Sequence, residues 1–182
     1  YSYDSNFARK VFIMSWAKDF FDENFATFFL DNHPNTKADI EFINSVINLN
    51  DKTTVLDQGC GIGRLSQEII KTGASVIGVD IVDDYIKTAQ KENPDGVFVC
   101  APAETFASKN KCDLVINWWT SFGYGKTETE DQKVLQSAYD SLKEGGHYML
   151  EIPNANYCRS AYSSDKKNRH KNTINDIKIT WD

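Results

Sequence analysis

Val55-Leu56-Asp57-Gln58-Gly59-Cys60-Gly61-Ile62-Gly63-Arg64 decides the fold of this chain. The β-branched and apolar run Thr53–Asp57 reads as a buried strand, and Gly63 to Lys71 reads as a helix with Leu65, Ile69 and Ile70 inward. The glycines between them form a tight strand-to-helix turn. Glycine reaches positive φ without steric cost and lets a ligand approach bare backbone. The helix start adds unpaired N–H groups and the positive end of a dipole.

Glycine-rich turns of this kind also serve nicotinamide and flavin enzymes, and two details separate this one from theirs. The dinucleotide fingerprint is GxGxxG. Here the spacing is GxGxG, and Arg64 stands where the last glycine of the fingerprint would fall. Asp57 also precedes the first glycine by two positions. A carboxylate repels a pyrophosphate but attracts an ammonium or a sulfonium.

Downstream, strand and helix patterns alternate. Strands are predicted at Ser75–Asp80, Val97–Ala101, Asp113–Asn117 and His147–Ile152. Helices are predicted at Val82–Glu92, which stops before Asn93–Pro94, and at Thr127–Leu142, with Val134, Leu135, Ala138 and Leu142 on one face. Gly73 is a helix stop, and Gly145–Gly146 turns the chain into the fifth strand. Such alternation predicts a Rossmann-like, doubly wound α/β fold with a mostly parallel sheet.

Upstream, residues 1–34 read as helices with a strongly apolar face that includes Phe20, Phe21, Phe25, Phe28, Phe29 and Leu30. His33-Pro34-Asn35 breaks that run. A helix at about 37–48 follows, with Ile40, Ile43, Val46 and Ile47 on its apolar face. Ser160–Asn175 reads as a polar loop and Ile174–Trp181 as one more strand. With no repeat and no linker, residues 1–182 read as one domain: a helical cap over 1–50, a core over 51–153, and a loop with an edge strand over 154–182.

Composition excludes several classes of partner. The formal net charge is −6 and the pI about 5.1, so the chain has no general attraction for nucleic acid or anionic lipid. The one basic cluster, Lys166, Lys167, Arg169, His170 and Lys171, reads as a solvated loop. Cys60, Cys100, Cys112 and Cys158 form no CxxC pair, which argues against a metal site and for reduced, small apolar side chains. No apolar run approaches the ~20 residues of a membrane span, and no stretch at the start reads as a secretory leader. The expectation is a cytoplasmic protein.

Asp80 closes the second strand some 17 positions after Gly63. An acidic residue there can accept both hydroxyls of a ribose, or it can cap the helix that begins near Val82. Together, VLDQGCGIG, GVDI, PAETF, CDLVINWWTSFGYG and LKEGGHYMLEIPN resemble the class I S-adenosylmethionine-dependent methyltransferases over residues of about 36–153. Thr36…Glu41-Phe42 with Thr120-Ser121-Phe122-Gly123-Tyr124 is similar to a small-molecule subgroup of them.

The resemblance implies S-adenosylmethionine as cofactor and methyl transfer to a nitrogen or oxygen of a small molecule. Asp57 and the turn of Gly59, Cys60, Gly61 and Gly63 would hold the methionine end, and the Asn117 carbonyl would face its amino group. Asp80 would hold the ribose and Ile81 the adenine face. Many relatives bind the adenine amino group with an aspartate where this chain has Pro102, which leaves Ala103 N–H or Glu104 for that role. Trp118 and Trp119 would flank the methyl group. One of them could instead cap the core. Trp119 and Tyr124 are the candidate catalytic residues, and Tyr124 has the alternative of an ordinary loop aromatic. His33 is a weak candidate, and His147 reads as structural.

Tyr3, Phe7, Trp16 and Phe20 are either walls of a lid or plain packing. The family sheet has the order 3-2-1-4-5-7-6, and only about thirty residues follow strand five here. The expectation is therefore an incomplete sheet edge, covered by a homo-oligomer contact or a partner chain. The alternative to an active enzyme is a methyltransferase-like scaffold with weak cofactor binding that acts by association. A nicotinamide oxidoreductase is disfavoured by the GxGxG spacing and Asp57.

Overall fold

The computed structural model describes residues 20–22, 25–30, 36–161, 170–174 and 177–181. After a π-helical turn at Ala26–Leu30 come α1 (Thr36–Val46), β1 (Thr54–Gln58), α2 (Arg64–Lys71), β2 (Ser75–Asp80), α3 (Asp83–Glu92), β3 (Val97–Cys100) and β4 (Cys112–Asn117). Then follow α4 (Glu128–Ser141), β5 (Leu142–Leu150), α5 (Ala155–Ala161), β6 (His170–Ile174) and β7 (Ile177–Trp181).

Five strands form one sheet in the order β3-β2-β1-β4-β5, and every pair in it is parallel. The expected Rossmann-like order is thus present. β1 lies at the centre with both faces covered, which is why it reads as a continuous apolar run. On one face Ile43 of α1 and Leu65 and Ile69 of α2 pack on Val55, Val76, Leu114 and Ile116. On the other, Ala138 of α4 packs on Leu56, Val79 and Val115. Gly73, at φ 93°, stops α2 as the sequence predicts.

Several elements depart from the sequence pattern. On α1, Ile43 is fully buried but Val46 is exposed. On α4 the buried residues are Ser137, Ala138 and Ser141, while Leu135 faces solvent. Serines can occupy that face because each is hydrogen-bonded. Ser141 Oγ donates to Ser137 O and accepts from Ser108 N–H, and Ser137 Oγ donates to the Phe106 carbonyl. The turn expected at Gly145–Gly146 is an irregularity inside β5, where the register jumps from Cys112↔Leu142 to Leu114↔His147. Gly145 takes φ 77° there, and a Cβ on Gly146 would stand 3.0 Å from the Lys143 carbonyl. Ile152 lies beyond the strand and is exposed.

The C-terminal segment differs as well. α5 and β6 occupy the two ends of the expected Ser160–Asn175 loop. β7 does not extend the main sheet; it pairs antiparallel with β6 in a separate two-stranded sheet. His170 and Lys171 of the basic cluster lie in β6. Lys166, Lys167 and Arg169, like Tyr3, Phe7, Trp16 and His33, lie outside the described residues. None of the four cysteines forms a disulfide. Cys60 and Cys112 are buried, but Cys100 is exposed, against the expectation of a small core residue. Among the described residues no helix is long and apolar enough to cross a membrane.

Candidate functional site

The parallel order brings the C-terminal ends of β1, β2, β3 and β4 to one rim of the sheet, where open α/β sheets place their ligands. A cavity of about 180 Å³ opens there. Its walls include Asp57, Gly59, Cys60, Gly61, Asp80, Ile81, Ala103, Glu104, Trp118, Trp119 and Tyr124 from the sequence expectation.

The floor is the glycine turn. Gly59, Gly61 and Gly63 all have positive φ, at 75°, 55° and 83°. Each avoids a different collision. A Cβ on Gly59 would stand 2.5 Å from Ser121 Cβ. On Gly63 it would meet Asn93 Nδ2 at 2.8 Å and Ala89 Cβ at 3.0 Å, so this glycine lets α2 pack on α3 and lies outside the cavity walls. Gly61 is the open one, with only Leu30 Cδ1 near, at 3.2 Å. A ligand can therefore lie against its backbone.

Two carboxylates flank the turn. Asp57 is buried at the end of β1, where Ser66 Oγ donates to its Oδ2 at 2.7 Å. Burial pushes its carboxyl up to about 6, with the Ser66 bond and the Arg64 guanidinium pulling the other way. Asp80 accepts Gly61 N–H on Oδ2 and Val82 N–H on Oδ1, both at 2.9 Å. It therefore ties the turn to β2 and also holds the entry to α3. Burial raises its carboxyl too, opposed by these backbone donors. Burial likewise pushes the Cys60 thiol well up, which keeps it a neutral, apolar wall.

Asn117 lies outside the cavity walls. Its carbonyl accepts Glu151 N–H at 3.0 Å in the β4–β5 pairing, and its buried Oδ1 has no hydrogen-bond partner among the described residues. The next residues turn sharply. Trp119 and Thr120 both adopt positive φ, at 56° and 66°, a conformation that costs about 1–3 kcal/mol in a non-glycine residue. Ser121 Oγ holds the loop in place through the carbonyls of Gly59, at 3.3 Å, and Trp118, at 3.1 Å. Trp118 packs on the core and lies 6.2 Å from the Phe42 ring, while Trp119 lies beside the Arg64 guanidinium at 6.0 Å.

Phe21, Phe25 and Leu30 close the cavity from the N-terminal side. Phe20, for which wall and plain packing were both open, is exposed and lies against Phe21 and Phe25. Tyr85 OH donates to Asp22 O at 2.8 Å, and Phe21 meets Tyr124 edge-on at 5.6 Å. Sequence inspection passed over Arg64, Tyr85, Thr120, Ser121, Glu130, Asp131 and Val134 as wall residues. Arg64 directly follows the glycine turn, so position alone was a signal for it. Those from α4 carried none, because only the tertiary fold brings that helix to the rim.

The cavity and its carboxylates sit within the span over which the chain matches a methyltransferase domain family, residues 55–146. Phosphoethanolamine N-methyltransferase 1 of Triticum aestivum is 33% identical over 104 residues, covering 53% of this chain and 20% of that protein. The ubiquinone biosynthesis O-methyltransferase of Hydrogenovibrio crunogenus is 27% identical over 124 residues, covering 65% and 49%. The chain thus spans no more than about half the length of these relatives. Among solved structures, Streptomyces venezuelae DesVI shares the fold with a TM-score of 0.68 at 19% identity, covering 86% of this chain and 66% of that one. Haemonchus contortus phosphoethanolamine N-methyltransferase 1, solved with phosphoethanolamine and S-adenosylhomocysteine, gives a TM-score of 0.55 at 25% identity, covering 64% and 25%. With the family match extending over half of its length, and its strand order and glycine turn in agreement, this chain belongs to the methyltransferase domain family.

Proposed function

We propose that this protein is an S-adenosylmethionine-dependent methyltransferase that methylates a nitrogen or oxygen of a small molecule. The observation that carries this is the pair Asp57 and Asp80 on either side of a glycine turn whose middle residue, Gly61, is open to the cavity. The donor set fits the cofactor. Asp57, Gly59, Cys60 and Gly61 would hold its methionine end, Asp80 its ribose hydroxyls, and Ile81, Ala103 and Glu104 its adenine. When bound, the cofactor supplies a methyl group already activated by its sulfonium, so the chain's task is positioning and exclusion of water.

The residues divide that task. Asp80 is pre-aimed by the Gly61 and Val82 amides, which leaves its remaining lone pairs for a ligand. Asp57 is a buried acceptor whose one side-chain hydrogen-bond partner among the described residues is Ser66. Trp118, Trp119 and Tyr124 form the wall on the acceptor side, and the last two are the candidate catalytic groups. Phe21 and Phe25 would keep water out, and the Tyr85–Asp22 bond would hold them there. On the same proposal the chain is one cytoplasmic domain with reduced cysteines. A homo-oligomer contact or a partner chain would cover the outer edge of β5, which pairs only with β4 among the described residues.

Pro102 favours a second reading, a scaffold that binds cofactor weakly and acts by association. It lines the cavity and has neither a side-chain acceptor nor an N–H. Calorimetric titration with S-adenosylhomocysteine separates the two. Binding of that ligand and none of NAD supports the enzyme, with Asp80→Ala weakening it by about 1–3 kcal/mol, the scale of a charged hydrogen bond. No heat with S-adenosylhomocysteine, or unchanged affinity in a folded Asp80→Ala chain, counts against it.

A further inference from the structure

The charges around the cavity are one-sided. Among the described wall residues there are five carboxylates, Asp57, Asp80, Glu104, Glu130 and Asp131, and one cation, Arg64. That cation is already engaged. Arg64 bonds to Thr36 Oγ1, lies 3.7 Å from Asp39 Oδ2, and rests beside Trp119. No guanidinium or ammonium of the described wall is left to receive an anionic ligand.

The acidic side of the wall is built into the fold. Glu130 Oε2 accepts Lys126 N–H at 2.7 Å, and Asp131 Oδ1 accepts Gly125 N–H at 3.0 Å. A Cβ on Gly125 would stand 2.6 Å from Asp131 Oδ1, so the glycine makes room for that carboxylate. The second oxygen of each has no hydrogen bond among the described residues, and neither has the Glu104 carboxylate. A helix start attracts anions in general. At α4 the first-turn amides of Glu130 and Asp131 are taken by Thr127, and Glu128, Glu130 and Asp131 screen the dipole end. The rings of Trp118, Tyr124, Phe21 and Phe25 complete the wall, and their negative faces also favour a cation.

We infer that the methyl acceptor is an amine that carries no phosphate or carboxylate, held between this aromatic wall and the Glu130–Asp131 carboxylates. The inference rests on the cofactor reading above and narrows it to nitrogen: the bound ammonium gives one proton to a wall carboxylate or to solvent, its freed lone pair takes the methyl group as the methyl–sulfur bond breaks, and S-adenosylhomocysteine leaves. On that reading Asp57, Asp80 and Glu104 face the cofactor, so Glu130 and Asp131 carry the selection: they would repel an anionic acceptor, and partly enclosed, low-dielectric walls focus their field.

The test uses the chain loaded with S-adenosylhomocysteine and two matched probe pairs, tyramine against 4-hydroxyphenylacetate and ethanolamine against phosphoethanolamine. By calorimetry at neutral pH, tyramine should bind at least tenfold more tightly than its carboxylate counterpart, and ethanolamine more tightly than its phosphate ester. The tyramine preference should shrink severalfold in a Glu130→Gln, Asp131→Asn chain. Equal or inverted preference, or no binding of either amine, overturns the inference while leaving the cofactor reading intact. Failure of S-adenosylhomocysteine itself to bind overturns both.

Discussion

Asp57 is where a single side chain has the clearest solution consequence. Its carboxyl titrates at about 6 in the folded chain and near 4 when unfolded. Between those values the folded state holds the extra proton. Its contribution to stability is therefore full below about pH 4 and is lost as the pH rises through about 6. The size is at most about 3 kcal/mol, from 1.36 kcal/mol per pKa unit. Asp57→Asn should remove this component, so urea unfolding at pH 4 and pH 7 should show a smaller loss with rising pH in the variant than in the parent. An identical pH slope in both chains would contradict the assignment. Ligand binding should run the other way. Affinity for S-adenosylhomocysteine should increase from pH 5 to pH 7, as Asp57 ionises to meet an ammonium.

At the scale of the element, α4 shows how burial can follow hydrogen bonding rather than hydropathy. Its pattern points Leu135 inward, yet Leu135 is 40% exposed and Ser137 is 5% exposed. Ser137 Oγ bonds to the Phe106 carbonyl and accepts Gln58 Nε2 at 3.3 Å, linking α4 to the loop after β3 and to the end of β1. Ser137→Ala removes the side-chain donor to the part-buried Phe106 carbonyl and one of the two partners of Gln58 Nε2, and should cost about 1–3 kcal/mol. Leu135→Ala should cost under about 1 kcal/mol, as exposed substitutions do. Chemical denaturation of the two variants checks the order, and a larger loss for Leu135→Ala would refute it. The glycine turn was legible in advance because its three glycines each answer a backbone demand. The role of Gly63 was not, since its partners Ala89 and Asn93 lie on another helix.

For the whole molecule, stability should grade outward from β1 and β4, which have helices on both faces of the sheet around them. Native-state hydrogen exchange should find Val55–Gln58 and Leu114–Asn117 slowest, opening only with global unfolding. The Ala26–Leu30 turn should exchange through local opening, because a few rings and the Tyr85–Asp22 bond hold that segment over the cavity. Equal protection in the two regions would show that the cover and the sheet unfold as one. Charge is also a whole-molecule property here. The chain's net −6 foretells an acidic surface, but the gathering of Glu104, Glu130 and Asp131 with Asp57 and Asp80 joins residues from four separate stretches.

The sequence by itself determined the central strand, the glycine turn, the carboxylates beside it and the parallel order of the sheet. These follow from local backbone demands and from hydrophobic periodicity, which act within a few residues of one another. The tertiary structure alone decided that Gly63 serves helix packing, that serines line the inner face of α4, that β7 pairs with β6, and that Glu130 and Asp131 face the cavity. Those outcomes depend on which partner stands across the gap, and the chain order does not carry the distance between residues far apart along it.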